Sequence, residues 1–187
     1  MSDELDVVFL DRDGTLNRDD EGYLADPDRV VLLPGATEAV RSLNAAGIKA
    51  VVVTNQSGMS RGLISQEALA RIHERLIALL AAGGAMLDGI FVCPHRPEHG
   101  CACRKPGTEL ALRAARDLGV DPARSAMIGD QAADVALAHR LGGRAVLVLT
   151  GHGTRTDAEW ADAPRPHYIA RDVHDGVQWL ILSRDRW

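Results

Sequence analysis

Short aliphatic runs alternate with longer amphipathic segments through most of this chain of 187 residues. The runs predict five strands, at residues 6–10, 49–53, 87–92, 125–128 and 145–149. The amphipathic segments predict helices at residues 34–46, 65–82, 107–118, 131–141 and 172–182. Strands that alternate with helices form a parallel sheet covered on both faces. We therefore expect an α/β fold: one doubly wound, Rossmann-like domain over residues 1–187, with no large cap domain inserted.

Composition and charge exclude several classes of protein. The net charge of −5 disfavours a broad nucleic-acid-binding surface, although local arginines and lysines can still make one pocket positive for a small phosphorylated substrate. No run of about 18 apolar residues is present to span a membrane. The acidic residues 1–6 are unlike a secretory signal. We expect a cytoplasmic monomer that binds neither nucleic acid nor a membrane.

Polar side chains follow the predicted strands, at the edge where doubly wound sheets bind ligands. Asp11 and Asp13 end the first strand, and alternation along an extended segment directs them to the same side. Asp130 ends the fourth strand, and Asp134 lies in the first turn of the next helix. Carboxylates gathered in this way repel one another unless a cation lies among them, and oxygen ligands beside phosphate favour Mg²⁺. The pattern predicts a Mg²⁺-dependent enzyme that handles phosphate.

Two further residues suit phosphate binding. Thr54 follows the second strand, where a hydroxyl and backbone amides can hold phosphate oxygens. Lys105 precedes the third helix and can bring a positive charge to the same group.

All three cysteines lie between residues 93 and 103. A Cys-x-His pair and a Cys-x-Cys pair, separated by five residues, can form a tetrahedral site for Zn²⁺. The ligands would be Cys93, His95, Cys101 and Cys103. His99 could replace His95, but the spacing of two residues between Cys93 and His95, the same as between Cys101 and Cys103, favours His95. With no ligand position left open, we expect a structural zinc whose loop, 93–103, positions Arg104 and Lys105 beside the substrate.

Four segments resemble the motifs of the haloacid dehalogenase superfamily of phosphatases: residues 11–15, 54–58, 105–106 and 129–134. The resemblance implies that Asp11 is the nucleophile, which forms an aspartyl-phosphate, and that Asp13 is first general acid and then general base. It implies that Mg²⁺ is held by Asp11, the main-chain carbonyl of Asp13 and Asp130, while Thr54 and Lys105 steady the phosphoryl group. Because an acid must carry a proton, we expect the site to raise the pKa of Asp13.

The zinc loop and residues 17–23, 51–58 and 103–106 resemble two groups within that superfamily, the heptose-bisphosphate and histidinol-phosphate phosphatases. The resemblance implies removal of the C7 phosphate from D-glycero-D-manno-heptose 1,7-bisphosphate in nucleotide-activated heptose biosynthesis, with histidinol phosphate as the alternative substrate. The implied substrate-binding residues are Asp19, Asp20, Glu21, Gly22, Asn55, Gln56, Ser57, Arg104 and Gln131. Gln131 stands where the heptose enzymes commonly carry lysine.

Two other functions compete with this interpretation. A nucleic-acid 3′-phosphatase is disfavoured by the acidic charge. A non-catalytic, zinc-stabilised binding module would not require a nucleophile and an acid together. We also expect Arg12, within the first motif, to be solvated and His73 to lie on the surface of its helix, while residues 151–153 could approach the site.

Overall fold

The computed structural model describes residues 5–19, 23–161 and 164–183. The strands are β1 Val7–Leu10, β2 Lys49–Asn55, β3 Gly89–Cys93, β4 Ser125–Gly129, β5 Arg144–Val148 and β6 Tyr168–Ala170. The α-helices are α1 Ala36–Ala45, α2 Gln66–Ala82, α3 Glu109–Leu118, α4 Ala132–Leu141, α5 Gly153–Ala158 and α6 Val173–Leu182. Short 3-10 helices lie at Pro27–Arg29, Pro97–His99 and Pro122–Arg124.

The six strands form one parallel sheet in the order β3-β2-β1-β4-β5-β6. The chain adds β2 and β3 on one side of β1 and then returns to add β4 on the other side. Ligands bind at this kind of switch point in open α/β sheets. Leu10 pairs with both Val52 and Ile128, so the residues that follow β1 lie between the ends of β2 and β4.

Both faces of the sheet are covered, which confirms the predicted doubly wound α/β architecture. Val8 and Leu10 of β1 pack into a core formed with α1, α2 and α6. Val7 and Phe9 point the other way, into a second core formed with α3 and α4. Burial on both sides explains why the strands are continuous apolar runs rather than alternating ones. That one domain spans all of residues 1–187 stays a prediction.

The predicted and observed elements differ at a few places. The strand β6 and the helix α5 were not predicted, because β6 has three residues and α5 has no apolar periodicity. The strand β2 runs to Asn55 rather than to residue 53, since Thr54 and Asn55 continue the pairing with β3. Within the described ranges, no helix has the length and apolar character needed to cross a membrane.

Substitution on α2 tests this packing. Leu76 is fully buried, whereas its neighbour Ile77 is 46% exposed. Leu76→Ala should lower the free energy of unfolding by about 2–5 kcal/mol, because it removes buried methyl groups and leaves a cavity. The matched Ile77→Ala should change it by no more than about 0.5 kcal/mol. Urea unfolding measures both, and equal losses would contradict the placement of this helix.

Candidate active site

A pocket of about 160 Å³ lies beyond the carboxyl ends of the central strands. It is lined by Asp11, Asp13, Asp19, Tyr23, Leu24, Thr54, Asn55, Gln56, Arg104, Lys105, Gln131, Ala133 and Asp134. The structure therefore brings together residues from three strand ends and from the segment before α3. Their chemical roles stay predictions.

The ammonium group of Lys105 is buried between two carboxylates. Its Nζ lies 2.7 Å from Asp11 Oδ1 and 2.7 Å from Asp134 Oδ1. Burial, the largest influence, acts to lower the pKa of Lys105, but the two carboxylates outweigh it and the pKa lies above its ordinary value. The lysine is therefore fully charged at neutral pH.

Asn55 holds the backbone of Lys105. Its Oδ1 accepts a hydrogen bond from Lys105 N at 3.0 Å, and its Nδ2 donates to Lys105 O at 3.3 Å. Asn55 was predicted to bind substrate, and its side chain does line the pocket. These two bonds position the backbone of Lys105, and the role of Asn55 in substrate binding stays a prediction.

Asp134 is tied to two neighbours. Its Oδ1 contacts Lys105, and its Oδ2 accepts from Gln131 N at 3.1 Å as part of the capping box that starts α4. Burial raises the pKa of Asp134 to about 6, with the charge of Lys105 opposing and that of Asp11 assisting. Gln131 is thus the N-cap of α4 as well as a pocket residue.

Asp130 is fully buried at the end of β4. Its Oδ2 accepts a hydrogen bond from His152 N at 2.7 Å, whereas its Oδ1 is buried with no hydrogen-bond partner among the described residues. Burial and the charges of Asp11 and Asp134 raise the pKa of Asp130 to about 8. A carboxylate under such repulsion is one that a cation would stabilise.

These acidic groups fit a divalent metal ion. One oxygen from each of Asp11, Asp130 and Asp134 lies within 4.8 Å of the others. The donors are all oxygens, which Mg²⁺ prefers. The free Oδ1 of Asp130 suits a metal better than the oxygens of Asp134, which already contact Lys105 and Gln131.

Asp13 lies in a dense set of hydrogen-bond donors. Arg12 donates from Nε to Oδ1 at 3.0 Å and from Nη2 to Oδ2 at 2.7 Å. Asn17 Nδ2 donates to Oδ1 at 2.9 Å, and Gln56 Nε2 donates to Oδ2 at 2.8 Å. Burial is the largest influence and acts to raise the pKa of Asp13, but Arg12 and these hydrogen bonds together hold it below its ordinary value. The expected rise of this pKa is therefore wrong for the ligand-free site.

Arg12 and His73 are also not where they were expected. Arg12 is 1% exposed rather than solvated, and its Nη1 lies 3.2 Å from His73 Nε2. His73 is half-buried on α2 rather than fully on the surface. Neither burial has a local signal, because the two residues are 61 positions apart and meet only when α2 packs into the core that β1 also enters.

Residues 151–153 do approach the site. Besides the backbone bond to Asp130, His152 Nε2 lies 2.8 Å from Asp19 Oδ2. Gly14 and Gly151 pass close to each other and to Asp130, and both have positive φ angles (78° and 55°). A Cβ at either position would collide with Asp130 Oδ2.

The other predicted substrate residues are placed unevenly. Thr54 is buried and accepts from Gln56 Nε2 at 2.9 Å. Ser57 lies outside the lining of the pocket, with its Oγ 3.3 Å from the hydroxyl of Tyr23. Asp20, Glu21 and Gly22 lie outside the described residues. Tyr23, Leu24 and Ala133 line the pocket but were not predicted as site residues, and their types carry no chemical signal for it.

The cysteine segment folds into a compact cluster beside the pocket. The Sγ atom of Cys103 lies 3.2 Å from that of Cys93, 3.4 Å from that of Cys101 and 3.2 Å from His95 Nδ1. Ligands about 2.3 Å from a tetrahedral zinc are about 3.8 Å apart, so the four donors fit Zn²⁺ with little adjustment. His99 is not in the cluster and packs edge-on against the His95 ring.

The cluster adjoins the pocket through its backbone. Arg104 Nη1 donates to His95 O at 3.1 Å, and Arg104 and Lys105 follow Cys103 directly. A metal that holds His95 and Cys103 would therefore also fix the start of the segment that carries both cations.

Comparisons with known proteins agree with this geometry. Residues 8–73 match the family of haloacid dehalogenase-like hydrolases, and residues 102–176 match a second, HAD-hydrolase-like family description. The chain is 41% identical over 186 residues to the D-glycero-D-manno-heptose-1,7-bisphosphate 7-phosphatase of Thermosynechococcus vestitus, covering 93% of this chain and 94% of that protein. It is 39% identical to the D-glycero-beta-D-manno-heptose-1,7-bisphosphate 7-phosphatase of Bordetella bronchiseptica, covering 94% and 97%.

Solved structures show the same relationship. The fold superposes on the D,D-heptose 1,7-bisphosphate phosphatase of B. bronchiseptica, complexed with magnesium and phosphate, with a TM-score of 0.88 and 36% identity over 95% of this chain and 99% of that one. The corresponding phosphatase of Burkholderia thailandensis gives a TM-score of 0.73 and 32% identity over 94% and 98%. The chain belongs to the haloacid dehalogenase-like hydrolase family, alongside these heptose-bisphosphate phosphatases.

Proposed function

We propose that this protein is a Mg²⁺-dependent phosphatase that removes the C7 phosphate of D-glycero-D-manno-heptose 1,7-bisphosphate. The observation that carries the proposal is the buried contact of Lys105 with Asp11 and Asp134 at the end of a pocket that also holds Asp13 and Thr54. The substrate is taken from the names of the relatives, which match this chain over almost its whole length. A cytoplasmic monomer acting in nucleotide-activated heptose biosynthesis is part of the same proposal.

Asp11 is the proposed nucleophile. An Asp11 oxygen bonds to phosphorus as the ester oxygen leaves, and water later attacks the aspartyl-phosphate to release phosphate. Lys105 offsets the negative charge of the phosphoryl oxygens, and Thr54 offers a hydroxyl to them. Mg²⁺, held by Asp11, Asp130 and the main-chain carbonyl of Asp13, would supply further neutralisation of charge on the phosphoryl group. In this proposal Asp134 holds the ammonium group of Lys105 and is not a ligand of the metal.

Asp13 is the proposed acid and base. Its hydrogen bonds favour the ionised form before substrate binds, which suits a base toward water. A phosphate dianion in the pocket adds negative charge beside this carboxyl, and like charge favours protonation. The proton needed by the leaving sugar oxygen is thus acquired with the substrate.

Arg104 and Gln131 are proposed to face the sugar and its second phosphate, since both line the same pocket. Several relatives are named for the β anomer, and we expect the same preference here. Histidinol phosphate stays as the alternative substrate, because the machinery around Asp11 does not depend on the alcohol that leaves.

Phosphate release with Mg²⁺ present tests the substrate directly. The panel holds both anomers of the heptose bisphosphate, histidinol phosphate and a 3′-phosphorylated oligonucleotide. We expect the β-heptose bisphosphate to give the highest kcat/KM and the oligonucleotide to give none. Asp11→Asn, which keeps the shape of the side chain, should abolish turnover because it removes the nucleophile.

Other outcomes would revise the proposal in separate ways. A preference for histidinol phosphate would keep the chemistry and change the substrate. Release of phosphate from none of the four would favour a non-catalytic module. Full activity of Asp11→Asn would contradict the mechanism whatever the substrate.

Thermal unfolding with and without Mg²⁺ tests the metal ligands. Because the pKa of Asp130 is raised from 3.8 to about 8, the metal-free protein loses stability as pH rises through this window. At pH 7.5, Asp130→Asn should therefore raise the Tm without Mg²⁺, by about 2–4 °C per kcal/mol of repulsion relieved. The same variant should lose the rise in Tm that Mg²⁺ gives the wild type.

Asp117→Asn is the control, since this carboxylate lies exposed on α3 and away from the pocket. It should leave both Tm values and the effect of Mg²⁺ unchanged. An Asp130→Asn protein that is still stabilised by Mg²⁺ as the wild type is would remove Asp130 from the ligand set.

Replacing the histidines of the zinc loop tests that site. His95→Ala should lower the zinc content and raise KM by about tenfold, roughly the 1.4 kcal/mol of a weakened contact to the substrate. The value of kcat should fall less, because Asp11 and Asp130 follow β1 and β4, whereas the zinc loop follows β3. His99→Ala should retain both zinc and KM; loss of zinc from that variant, but not from His95→Ala, would reverse the assignment.

A further inference from the structure

Arg12 presents all of its donor groups inside the protein. The side chain is 1% exposed, although it is the residue between Asp11 and Asp13 in a loop at the edge of the sheet. Its carbonyl also accepts from Leu16 N at 2.9 Å and Asn17 N at 3.1 Å, so the turn after β1 is folded around this residue. A buried guanidinium requires partners, and here it has two.

The first partner is the carboxylate of Asp13. The two parallel hydrogen bonds, of 3.0 and 2.7 Å, fix the plane of that carboxylate as well as its position. Asn17 donates a further hydrogen bond to Oδ1 of Asp13, and Gln56 donates one to Oδ2. A carboxylate bound in this way has one orientation rather than a range of rotamers.

The second partner is His73 on α2. Arginine has no acceptor, so the 3.2 Å contact requires His73 Nε2 to accept from Arg12 Nη1. Burial and the charge of Arg12 lower the pKa of His73 to about 4, which keeps the ring neutral and able to accept. Ile72 and Leu76, both fully buried, anchor this part of α2 in the core. The guanidinium is thus held at both ends, by a loop and by a rigid helix.

We propose that Arg12 and His73 are positioning residues for the acid step, with His73 orienting Arg12 and Arg12 orienting the Asp13 carboxyl toward the leaving oxygen. The inference rests on the proposed function, since it concerns the acid of that reaction. In the step, Asp11 bonds to phosphorus, the bond from phosphorus to the ester oxygen breaks, and the Asp13 proton passes to that oxygen.

The dependence of the rate on the leaving group separates this role from a general effect on structure. A sugar alkoxide needs a proton as it leaves, whereas p-nitrophenolate leaves as a stable anion. The quantity to compare is kcat/KM for heptose bisphosphate and for p-nitrophenyl phosphate, because it covers only the steps up to release of the alcohol. Later attack by water does not enter it.

His73→Leu removes the acceptor, and His73→Gln keeps an acceptor oxygen close to the position of Nε2. His73→Leu should lower kcat/KM for heptose bisphosphate by about tenfold, a part of the 10²–10⁴ that a positioned acid supplies, and that for p-nitrophenyl phosphate by less than about twofold. His73→Gln should recover most of the loss. Asp13→Asn, which removes the proposed acid itself, should give the largest difference between the two esters in the loss of kcat/KM. Glu74→Gln, one residue further along α2, is the control and should change neither value.

If His73→Leu lowers kcat/KM equally for both esters, or for neither, the inference is overturned. A His73→Gln protein that behaves like His73→Leu would overturn it too. If the wild type rejects the heptose but cleaves histidinol phosphate, the proposed substrate fails alone, and histidinol phosphate, also an alkyl ester, replaces it in the comparison. If the wild type cleaves no ester, both proposals fail.

Discussion

The buried ammonium of Lys105 is the charge on which the arrangement of this site depends. It lies 2.7 Å from both Asp11 and Asp134, and without it two buried carboxylates would face each other uncompensated. Asn55 holds its backbone, and the capping box of α4 holds Asp134. Loss of the ammonium would therefore disturb Asp11, the proposed nucleophile, and the start of a helix together.

The topology of the sheet turns this local interaction into a site. Because β1 lies between β2 and β4, residues far apart in sequence meet at one edge without any long loop to carry them. The two carboxyl groups at this edge have opposite surroundings. Asp130 has a buried oxygen with no hydrogen-bond partner among the described residues, and its pKa is raised. Asp13 accepts hydrogen bonds at both oxygens, and its pKa is lowered. The surroundings of Asp130 suit a metal ion, whereas the proposed role of Asp13 as an acid depends on the negative charge that the substrate brings.

The main strands and helices, and the edge of the sheet where the polar residues gather, could be predicted from the sequence for physical reasons. Strands buried on both faces are continuous apolar runs, and Asp11, Thr54 and Asp130 were found because polar residues end those runs. What could not be predicted in this way depends on contacts distant in the chain. Arg12 looks like a solvated arginine until α2 brings His73 against it. No sequence pattern shows that the Asn55 amide bonds to the backbone of Lys105, 50 residues away. The strand β6 is too short to give a pattern.

The most direct test of this account is to find where the phosphoryl group goes during the first turnover. Wild-type protein is mixed with radiolabelled heptose bisphosphate and Mg²⁺, quenched with acid within one turnover, and digested for peptide mapping. The account predicts transient label on the peptide that contains Asp11, with attachment at that residue. Label on another residue, or phosphate released in the first turnover with no labelled protein at any time, would contradict it.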